Sequence, residues 1–227
     1  MNVALIVFAG TGSRIKSEVP KQFIKIKDMD MVVHAIKKFD ENPHIDEIIL
    51  VTSKDYLPYV ESYADKFHFT KIVKVVEGGK SRQESVRLGL LSVDYNKNDK
   101  ILIHDGDRPL VTNAIINQCI DLLDEYDAVC PAIEVEENHP QISASGRKKN
   151  IEGKTVDIQT PQAFKFDVIK TAHLNKMNEA FDDDIGLVEK EIEVKYFKGE
   201  KDNFKVTQVE DLEFLRSLLE VDDEKDN

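Results

Sequence analysis

Residues suited to holding phosphate follow an apolar run near the start of the chain. The segment of residues 8–14 reads FAGTGSR, and the segment of residues 20–23 reads PKQF. Glycines at the end of a strand let backbone N–H groups approach phosphate oxygens, and Arg14 and Lys21 would add positive charge. Ile15 stands where a dinucleotide motif requires a third glycine, and the P-loop spacing is absent. The segment predicts an anion-binding turn of neither standard type, with a solvated basic loop as the alternative.

Two further segments combine glycines with polar side chains. Residues 77–86, EGGKSRQESV, place two glycines before a helix that Ser81 and Glu84 would cap. A helix N-terminus favours anions, although a tight turn followed by a cap is the simpler explanation of this segment alone.

Residues 104–109, HDGDRP, put Asp105 at the end of a buried strand, where a carboxylate suits a divalent cation shared with phosphates. A surface turn with an Asp–Arg pair is the alternative.

The remaining polar residues are less informative by themselves. Residues 159–164, QTPQAF, indicate no chemistry from their types, and Lys205 in the segment NFKVT would alone be an ordinary surface lysine. His104 is a candidate base, but a histidine at a strand end more often has a structural role. Asp183 and Asp184 form an acidic pair in a polar turn. These residues indicate a function only in combination.

The elements that must position these residues alternate along the chain. Apolar runs predict strands, and apolar residues at helical spacing predict helices. This alternation is typical of an α/β protein with a mostly parallel sheet covered on both faces. Ligands of such sheets bind at the carboxyl ends of the strands, where the segments above fall. We expect strands at residues 3–8, 45–52, 71–76, 101–104, 128–133 and 192–197, helices at residues 31–39, 57–67, 81–93, 114–123 and 166–177, and a last helix that starts at Thr207 and is capped by Glu210.

Length and composition favour a single domain. The chain has 227 residues, 41% of them hydrophobic, which suffices for one ordinary core. We assign residues 1–220 to this domain. Residues 134–158 interrupt the pattern because they are too polar to form a second core, so we expect a protruding β-arm with a turn at residues 144–147. The acidic residues 221–227 predict a disordered tail.

Charge and hydropathy exclude several classes of function. The 31 basic and 43 acidic residues give a net charge of −12, which argues against nonspecific nucleic-acid binding. No apolar run approaches the roughly 20 residues of a membrane span and no signal peptide is evident, so we expect a cytoplasmic protein without membrane contact. Cys119 and Cys130 match no metal-binding spacing and predict reduced thiols. Residues 1–27 carry an excess of basic side chains, which indicates a small polyanionic ligand.

Taken together, the segments resemble those of a known family. From about residue 3 to about residue 215, the chain is similar to the cytidylyltransferases that make CDP-methylerythritol from methylerythritol 4-phosphate in isoprenoid synthesis, and to a sister group that makes CDP-ribitol from ribitol 5-phosphate. The patterns Gly-x-Gly-x-Arg, Pro-Lys-Gln, Gly-Gly-x-x-Arg-x-x-Ser-Val, His-Asp-x-x-Arg-Pro, Thr-Pro-Gln and Asn-x-Lys-Val-Thr occur in the family's order. The resemblance implies a Rossmann-like nucleotidyltransferase fold of the nucleotide-diphospho-sugar transferase type, a three-layer sandwich with a protruding β-arm.

The resemblance also implies roles for residues at matching positions. Arg14, Lys21 and Lys205 would be the catalytic cations that contact the triphosphate and the reacting phosphate. Asp105 would hold Mg²⁺ or another divalent cation. The nucleotide would be bound by residues of the two glycine turns and of the third segment, namely Ala9, Gly10, Thr11, Gly12, Gly79, Ser85, Asp105 and Gly106. The acceptor-binding positions correspond to Arg108, Glu134, Val135, Glu152 and Asp183.

Several positions depart from the family pattern. Phe8 stands where the family has a small alanine beside the nucleotide, and Glu134 and Val135 replace an Asp-Thr pair that contacts the acceptor. Glu152 stands where the family has an arginine that grips the acceptor phosphate, so a bidentate contact is lost and repulsion is added. Either a cation among residues 147–149 substitutes, or the acceptor differs, or the alignment of the arm is slipped by a few residues.

The expected reaction is transfer of CMP from CTP to a sugar-alcohol phosphate with release of pyrophosphate. Methylerythritol phosphate is the leading acceptor, and ribitol phosphate, for cell-wall or capsule polymers, is the alternative. A relative that binds a nucleotide without turnover, or one that uses another base because of Phe8, is less well supported. The acceptor phosphate is already an anionic nucleophile, so positioning and charge neutralisation would suffice without a strong base. The resemblance further implies a homodimer formed through the arm at residues 134–158.

Overall fold

The computed structural model describes residues 1–12, 15, 17–135, 148–151 and 153–225, with side chains up to residue 219. Its strands are β1 (Asn2–Val7), β2 (Lys25–Ile26), β3 (Met29–Asp30), β4 (Glu47–Thr52), β5 (Ile72–Glu77), β6 (Lys100–Asp105), β7 (Ala128–Glu134), β8 (Lys148–Ile151), β9 (Lys154–Ile158), β10 (Gln162–Lys165) and β11 (Val194–Lys198). Its helices are α1 (Met31–Glu41), α2 (Leu57–Glu61), α3 (Tyr63–Phe67), α4 (Arg82–Leu91), α5 (Asn113–Leu122), α6 (Phe166–Asn175), α7 (Asp184–Val188) and α8 (Val209–Lys225). The helix expected at residues 57–67 is divided at Ser62 into α2 and α3.

Within the described residues, one sheet of nine strands forms the centre of the fold, in the order β5-β4-β1-β6-β10-β7-β9-β8, with β11 also paired to β7. The strands β5, β4, β1 and β6 run parallel, and β11 is parallel to β7. Between β6 and β7 lies β10, antiparallel to both. The sheet is therefore mostly parallel, as predicted. The sequence did not reveal β10, because its four residues are too few to show a period.

Alternate residues of the central strands serve two separate cores. Val3 and Leu5 of β1 are fully buried in one core with Val86 of α4 and Ile169 of α6. Ile6 of the same strand packs in the other core, to which α1 and α5 contribute. Because successive side chains of a strand point to opposite faces, a strand that is apolar throughout must be covered on both sides. The fold is the Rossmann-like three-layer α/β sandwich that the sequence predicted.

A third apolar cluster ties the C-terminal part of the chain to its N-terminal part. Phe204 and Val206 pack there with Ile15 and Met31. Lys205 lies between two of these buried residues, so its backbone is held close to the carboxyl ends of the strands. The cluster thereby brings a residue from the end of the chain to the site expected at its beginning.

The start of the last helix differs from its prediction. α8 begins at Val209, so Asp211 and not Glu210 occupies the third position of the helix. The Asp211 carboxylate accepts hydrogen bonds from the Thr207 N–H and hydroxyl, both at 2.8 Å, and from the Gln208 N–H at 3.0 Å. The predicted cap by Glu210 is therefore wrong, because the helix starts later than the sequence suggested.

The end of the last helix also differs from expectation. α8 continues to Lys225, so residues 221–225 are helical where a disordered tail was predicted. Residues 218–225 contain Leu, Glu and Lys, which favour helix, and no glycine or proline that would end it.

Two strands of the polar arm join the sheet. β9 pairs antiparallel with β7, and β8 pairs antiparallel with β9. Residues 136–147, with the turn expected at residues 144–147, lie outside the described residues, as does Glu152. Cys119 and Cys130 are buried and free, as predicted. Among the described helices, none is both long and apolar enough for a membrane span.

Candidate active site

A cleft of about 460 Å³ opens at the carboxyl ends of β1 and β6. Its wall combines both glycine turns, the start of α4, and charged residues that follow β6 or precede α8. Gly12 and Gly106, expected to bind a nucleotide, do not line it, and Arg14 lies outside the described residues. The lining residues are Val7, Phe8, Ala9, Gly10, Thr11, Lys21, Gln22, Gly79, Lys80, Ser81, Arg82, Ser85, Asp105, Asp107 and Lys205.

The first glycine turn is held by a buried side chain. The amide of Gln22 donates to the carbonyl oxygens of Phe8 at 2.8 Å and of Gly10 at 2.7 Å. Gly12 has a φ of +64°, and a Cβ there would lie 2.9 Å from the backbone nitrogen of Lys21, so glycine is required. The turn and the segment that carries Lys21 therefore pack as one unit at the cleft.

The second glycine turn lies directly against the first. The Gly78 N–H donates to the Thr52 carbonyl oxygen at 2.7 Å, which anchors the turn to β4. A Cβ on Gly78 would lie 2.4 Å from the Cβ of Ala9, closer than two such atoms approach in proteins. The two turns thus form opposite sides of one cleft only because this position lacks a side chain.

The N-terminus of α4 opens into the cleft. Ser81 caps the helix, since its hydroxyl accepts a hydrogen bond from the Glu84 N–H at 3.1 Å, and the predicted cap is confirmed. The Ser85 hydroxyl donates to the Ser81 carbonyl oxygen at 2.8 Å and accepts from the Gly79 N–H at 3.0 Å. The positive end of the helix dipole favours an anion at this place.

Asp105 lies at the centre of an ionic network on the cleft floor. Its carboxylate accepts hydrogen bonds from the Arg82 Nε at 2.7 Å and from the Lys205 Nζ at 2.8 Å. Burial raises the pKa of Asp105, but the charges of Arg82 and Lys205 outweigh burial and hold this pKa well below its ordinary value. The carboxylate is therefore ionised throughout the neutral range.

Asp107 joins the two lysines that were expected to act in catalysis. The Lys21 Nζ donates to Asp107 Oδ2 at 2.5 Å and to the Val206 carbonyl oxygen at 2.7 Å. The Lys205 Nζ lies 3.7 Å from Asp107 Oδ1. Lys21 and Lys205 thus lie at the same cleft and both contact an aspartate to which the sequence assigned no role.

The donor set fits a hard divalent cation. Asp105 and Asp107 both line the cleft, and Asp107 Oδ1 is buried without a hydrogen-bond partner in the described part of the chain. The described residues include no group of three or more histidine, cysteine or carboxylate side chains that would form a complete cage. Mg²⁺ in proteins is commonly held by one or two carboxylates together with substrate phosphates, and this pair suits that mode.

A second cavity of about 430 Å³ adjoins the first. Arg82, Asp105 and Lys205 line both cavities and therefore form their common wall. The other lining residues are Arg108, Lys148, Ile158, Thr160, Gln162, Asp182 and Asp183. Two ligands bound in adjoining cavities would meet at the common wall.

The residues expected to bind an acceptor are only partly gathered there. Asp183 and Arg108 line the second cavity, but Arg108 is 2% exposed and its guanidinium donates to the Asn203 carbonyl oxygen at 2.7 Å. The Arg108 side chain thus supports the wall of the second cavity through its hydrogen bond to the backbone carbonyl of Asn203.

Glu134 and Val135, also expected to bind the acceptor, do not line the second cavity. Glu134 forms an exposed ion pair with Lys154, and the Val135 N–H donates to the Thr155 carbonyl oxygen, so both belong to the arm.

Two residues whose roles were open are part of the core. His104 is fully buried, and its ring nitrogens lie 3.0 Å from the Arg108 carbonyl oxygen and 3.1 Å from the Thr160 hydroxyl. Burial lowers the pKa of His104 to about 4. Phe8 is also buried and packs edge-on against Phe23 with ring centroids 6.2 Å apart. His104 therefore has the structural role that the sequence favoured.

Several residues that build the site were not found from the sequence. Gln22, Arg82 and Asp107 stood inside the segments already singled out, but their partners are remote in the chain or are backbone atoms. Gln162 accepts hydrogen bonds from the N–H groups of Asp184 and Ile185 and so orients the start of α7. Their positions within segments already singled out, namely PKQF, EGGKSRQESV, HDGDRP and QTPQAF, were the available signal.

The fold and the two cavities define a nucleotide-binding α/β enzyme that works on phosphates, and comparison with known proteins identifies the family. The family model of IspD, 2-C-methyl-D-erythritol 4-phosphate cytidylyltransferase, matches residues 2–220. The chain belongs to this family.

Individual relatives agree with this assignment. The 2-C-methyl-D-erythritol 4-phosphate cytidylyltransferase of Clostridium novyi (strain NT) is 37% identical over 225 residues, which cover 96% of each protein. The bifunctional enzyme IspD/IspF of Wolbachia pipientis wMel is 39% identical over 220 residues, which cover 96% of this chain but 55% of that protein. The chain thus spans about half of the bifunctional relative. The crystal structure of 4-diphosphocytidyl-2C-methyl-D-erythritol synthase from Anaerococcus prevotii DSM 20548 has a TM-score of 0.78 and 26% identity, with 96% of each chain covered.

Proposed function

We propose that this protein transfers CMP from CTP to 2-C-methyl-D-erythritol 4-phosphate, releasing pyrophosphate and forming 4-diphosphocytidyl-2-C-methyl-D-erythritol. The observation that carries this function, beside family membership, is the common wall of the two cavities. CTP in the cleft of the glycine turns and an anionic acceptor in the second cavity would meet at Arg82, Asp105 and Lys205. Both reacting groups are phosphates, and the meeting point is where the cations lie.

The reaction needs little beyond orientation and charge. An oxygen of the acceptor phosphate attacks the α-phosphorus of CTP, the bond to the β-phosphate breaks, and pyrophosphate leaves with the bonding electrons. The acceptor oxygen carries no proton that must be removed, so His104, buried outside the cleft lining, is not required as a base. Lys21 and Lys205 are held beside the cleft by Asp107 and Asp105, so their charges are in place before substrate arrives.

A divalent cation, Mg²⁺ or one of similar chemistry, forms part of this proposal. Asp105 and Asp107 would hold it, and it would neutralise charge on the triphosphate. Asp105 is already oriented by two hydrogen bonds from Arg82 and Lys205, so its carboxylate does not need to reorganise.

The assembly and the location belong to the same proposal. The polar arm around residues 134–158, of which β8 and β9 join the sheet, would join two copies of the chain into a homodimer, as the resemblance to the family implies. A cytoplasmic location, predicted from the sequence, would be tested by cell fractionation.

Pyrophosphate release from CTP, measured with a panel of acceptors, tests the function directly. The panel contains 2-C-methyl-D-erythritol 4-phosphate, ribitol 5-phosphate and a control without acceptor, and ATP, GTP and UTP replace CTP in parallel. We expect the highest kcat/KM with CTP and methylerythritol phosphate. Release with ribitol phosphate alone would refute methylerythritol phosphate as the acceptor but support the transfer of CMP. No release with any acceptor would indicate a nucleotide-binding relative without turnover.

A further inference from the structure

Arg82 occupies the common wall of the two cavities and is held there from two sides. Its Nε donates to Asp105 Oδ1 and its Nη1 donates to Asp184 Oδ2, each at 2.7 Å. Its Nη2 is buried and has no hydrogen-bond partner within the described part of the chain. A buried donor without an acceptor is rare and needs an explanation, and a phosphoryl oxygen is the acceptor that two adjoining anion sites would supply.

Asp184 is fixed more firmly than a surface ion pair requires. The residue is 1% exposed, and its second carboxylate oxygen lies 3.0 Å from the Nε2 of His173, also 1% exposed. Burial raises the pKa of Asp184, but the Arg82 charge and the His173 hydrogen bond outweigh burial and hold that pKa below its ordinary value. The backbone N–H of Asp184 donates to Gln162 at 2.9 Å. These contacts with Arg82, His173 and Gln162 together restrict the position of the Asp184 carboxylate.

The three side chains connect three helices on one face of the sheet. Arg82 is the first residue of α4, Asp184 is the first residue of α7, and His173 lies in α6. The Arg82 side chain is 25% exposed and that of Asp184 is 1% exposed, so this ion pair is partly buried. Desolvation of the buried carboxylate offsets much of the attraction, so net stability alone does not explain the complete geometry of the pair. The pair determines where the Arg82 guanidinium lies relative to Asp105 and Lys205.

We propose that Asp184 and His173 are positioning residues that hold Arg82 at the junction of the two cavities, where its guanidinium contacts the phosphoryl groups that react. This inference rests on the proposed function, because it places the acceptor phosphate and the CTP α-phosphate at that junction. Losing the Asp184 carboxylate leaves Arg82 with one anchor. The cleft around the glycine turns and Lys21 does not depend on Asp184, so CTP binding should persist while turnover falls.

Steady-state kinetics of matched variants test this role. We expect Asp184→Asn to lower kcat by about 10- to 100-fold while the KM for CTP changes by less than about threefold. His173→Leu should lower kcat by about tenfold, and His173→Gln, which retains a donor toward Asp184, should recover most of the rate. Arg82→Gln should be at least as impaired as Asp184→Asn, and combining the two substitutions should add little, because both act through one group.

Asp211→Asn is the matched control, because Asp211 is also a buried carboxylate at a helix start, where it accepts hydrogen bonds from the N–H groups of Thr207 and Gln208. It should lower Tm and leave kcat unchanged at a temperature where the protein is folded. The positioning role is refuted if Asp184→Asn behaves like Asp211→Asn, or if His173→Gln is as slow as His173→Leu. Turnover of the unaltered protein on methylerythritol phosphate reports on the proposed function, and the ratio of variant to unaltered rates reports on the positioning role.

Discussion

Lys21 and Lys205 come from opposite ends of the chain and meet over two aspartates at the cleft floor. Lys21 is bonded to Asp107 at 2.5 Å, and Lys205 to Asp105 at 2.8 Å. Both lysines are paired with carboxylates at the cleft. Lys205 is therefore not the ordinary surface lysine that its segment alone suggested. A triphosphate entering the cleft would compete with these carboxylates for the two ammonium groups.

Lys21→Ala should lower kcat/KM by about 10²–10³, because one cation that faces developing negative charge is lost. The measurement is pyrophosphate release with CTP and the preferred acceptor. Lys37→Ala, which removes an exposed lysine paired with Glu41, is the control and should leave the rate unchanged. Near-normal turnover of Lys21→Ala would refute the assigned role.

Two adjacent lysines of β8 differ in what they contact. The Lys149 Nζ donates to Glu189 and to the Tyr196 hydroxyl, so its ammonium group already has two hydrogen-bond partners within the protein. Lys148 lines the second cavity, is exposed, and has no ion pair within the residues described. Of the two candidate cations that lie within the described residues, Lys148 is therefore the better placed to substitute for the family's arginine, while Arg147 and Glu152 lie outside the described residues.

Lys148→Gln should raise the KM for the acceptor about tenfold and leave the KM for CTP unchanged, because a charge-assisted contact to the acceptor phosphate is removed. Lys148→Arg should retain most of the affinity. Lys154→Gln on the neighbouring strand, where the lysine pairs with Glu134, serves as control. Flat acceptor kinetics in Lys148→Gln would instead favour Glu152→Arg as the change that alters acceptor binding.

At the scale of elements, the approach of the two glycine turns shapes the cleft in which we propose that CTP binds. A Cβ on Gly78 would lie 2.4 Å from the Ala9 Cβ and 2.9 Å from the Ser85 Oγ. Neither neighbour can move without displacing a turn, since Ser85 is bonded to the helix start and Ala9 follows β1.

Gly78→Ala should destabilise the fold by about 1–3 kcal/mol, as overpacked sites do, and raise the KM for CTP. Thermal unfolding and CTP kinetics are the measurements. Gly10→Ala is the control for stability, because a Cβ at Gly10 meets nothing within 4 Å and should leave Tm unchanged. Equal Tm values for both variants would contradict the close contact of the turns.

For the whole molecule, the stability should depend on pH through His104. Its pKa is lowered by burial to about 4, from 6.5 in an unfolded chain. The unfolded state therefore takes up a proton that the folded state does not, and stability is lost as the pH falls from 6.5 toward 4. For this group the loss amounts to about 3 kcal/mol. Asp105 and Asp184, whose pKa values are lowered from 3.8, lose their contributions at lower pH.

Urea unfolding between pH 4 and pH 7.5 measures this dependence. We expect His104→Asn to be less stable than the unaltered protein at pH 7, because the hydrogen bonds to Arg108 and Thr160 are disturbed. Its free energy of unfolding should nevertheless fall less steeply with decreasing pH. Parallel curves for the two proteins would show that His104 is not the group responsible.

The assembly gives a second prediction at this scale. We expect a dimer in light scattering at micromolar concentration, because the proposed assembly joins two copies of the chain through the arm. Shortening the arm should yield monomers with a raised KM for the acceptor and little change in the KM for CTP. A monomeric unaltered protein with full activity would contradict the proposed dimer.

The sequence by itself determined the class of fold, the order of its segments and several local structures. Buried strands, amphipathic helices and the Ser81 cap depend on neighbours within a few residues, so their patterns are visible along the chain. The glycine turns and Asp105 were found for the same reason. The short strand β10 and the start of α8 were not, because four residues carry no period and a helix start depends on which carboxylate reaches the free N–H groups.

Only the tertiary structure decided which charges meet. Lys21 and Asp107 are 86 residues apart, Arg82 and Asp184 are 102 apart, and Lys205 and Asp105 are 100 apart. Such pairs depend on how β6, α7 and the segment before α8 are brought to one edge of the sheet, and a lysine or an aspartate carries no mark of its partner. The common wall of the two cavities, and with it the place where two phosphates would react, therefore followed from packing and not from the order of residues.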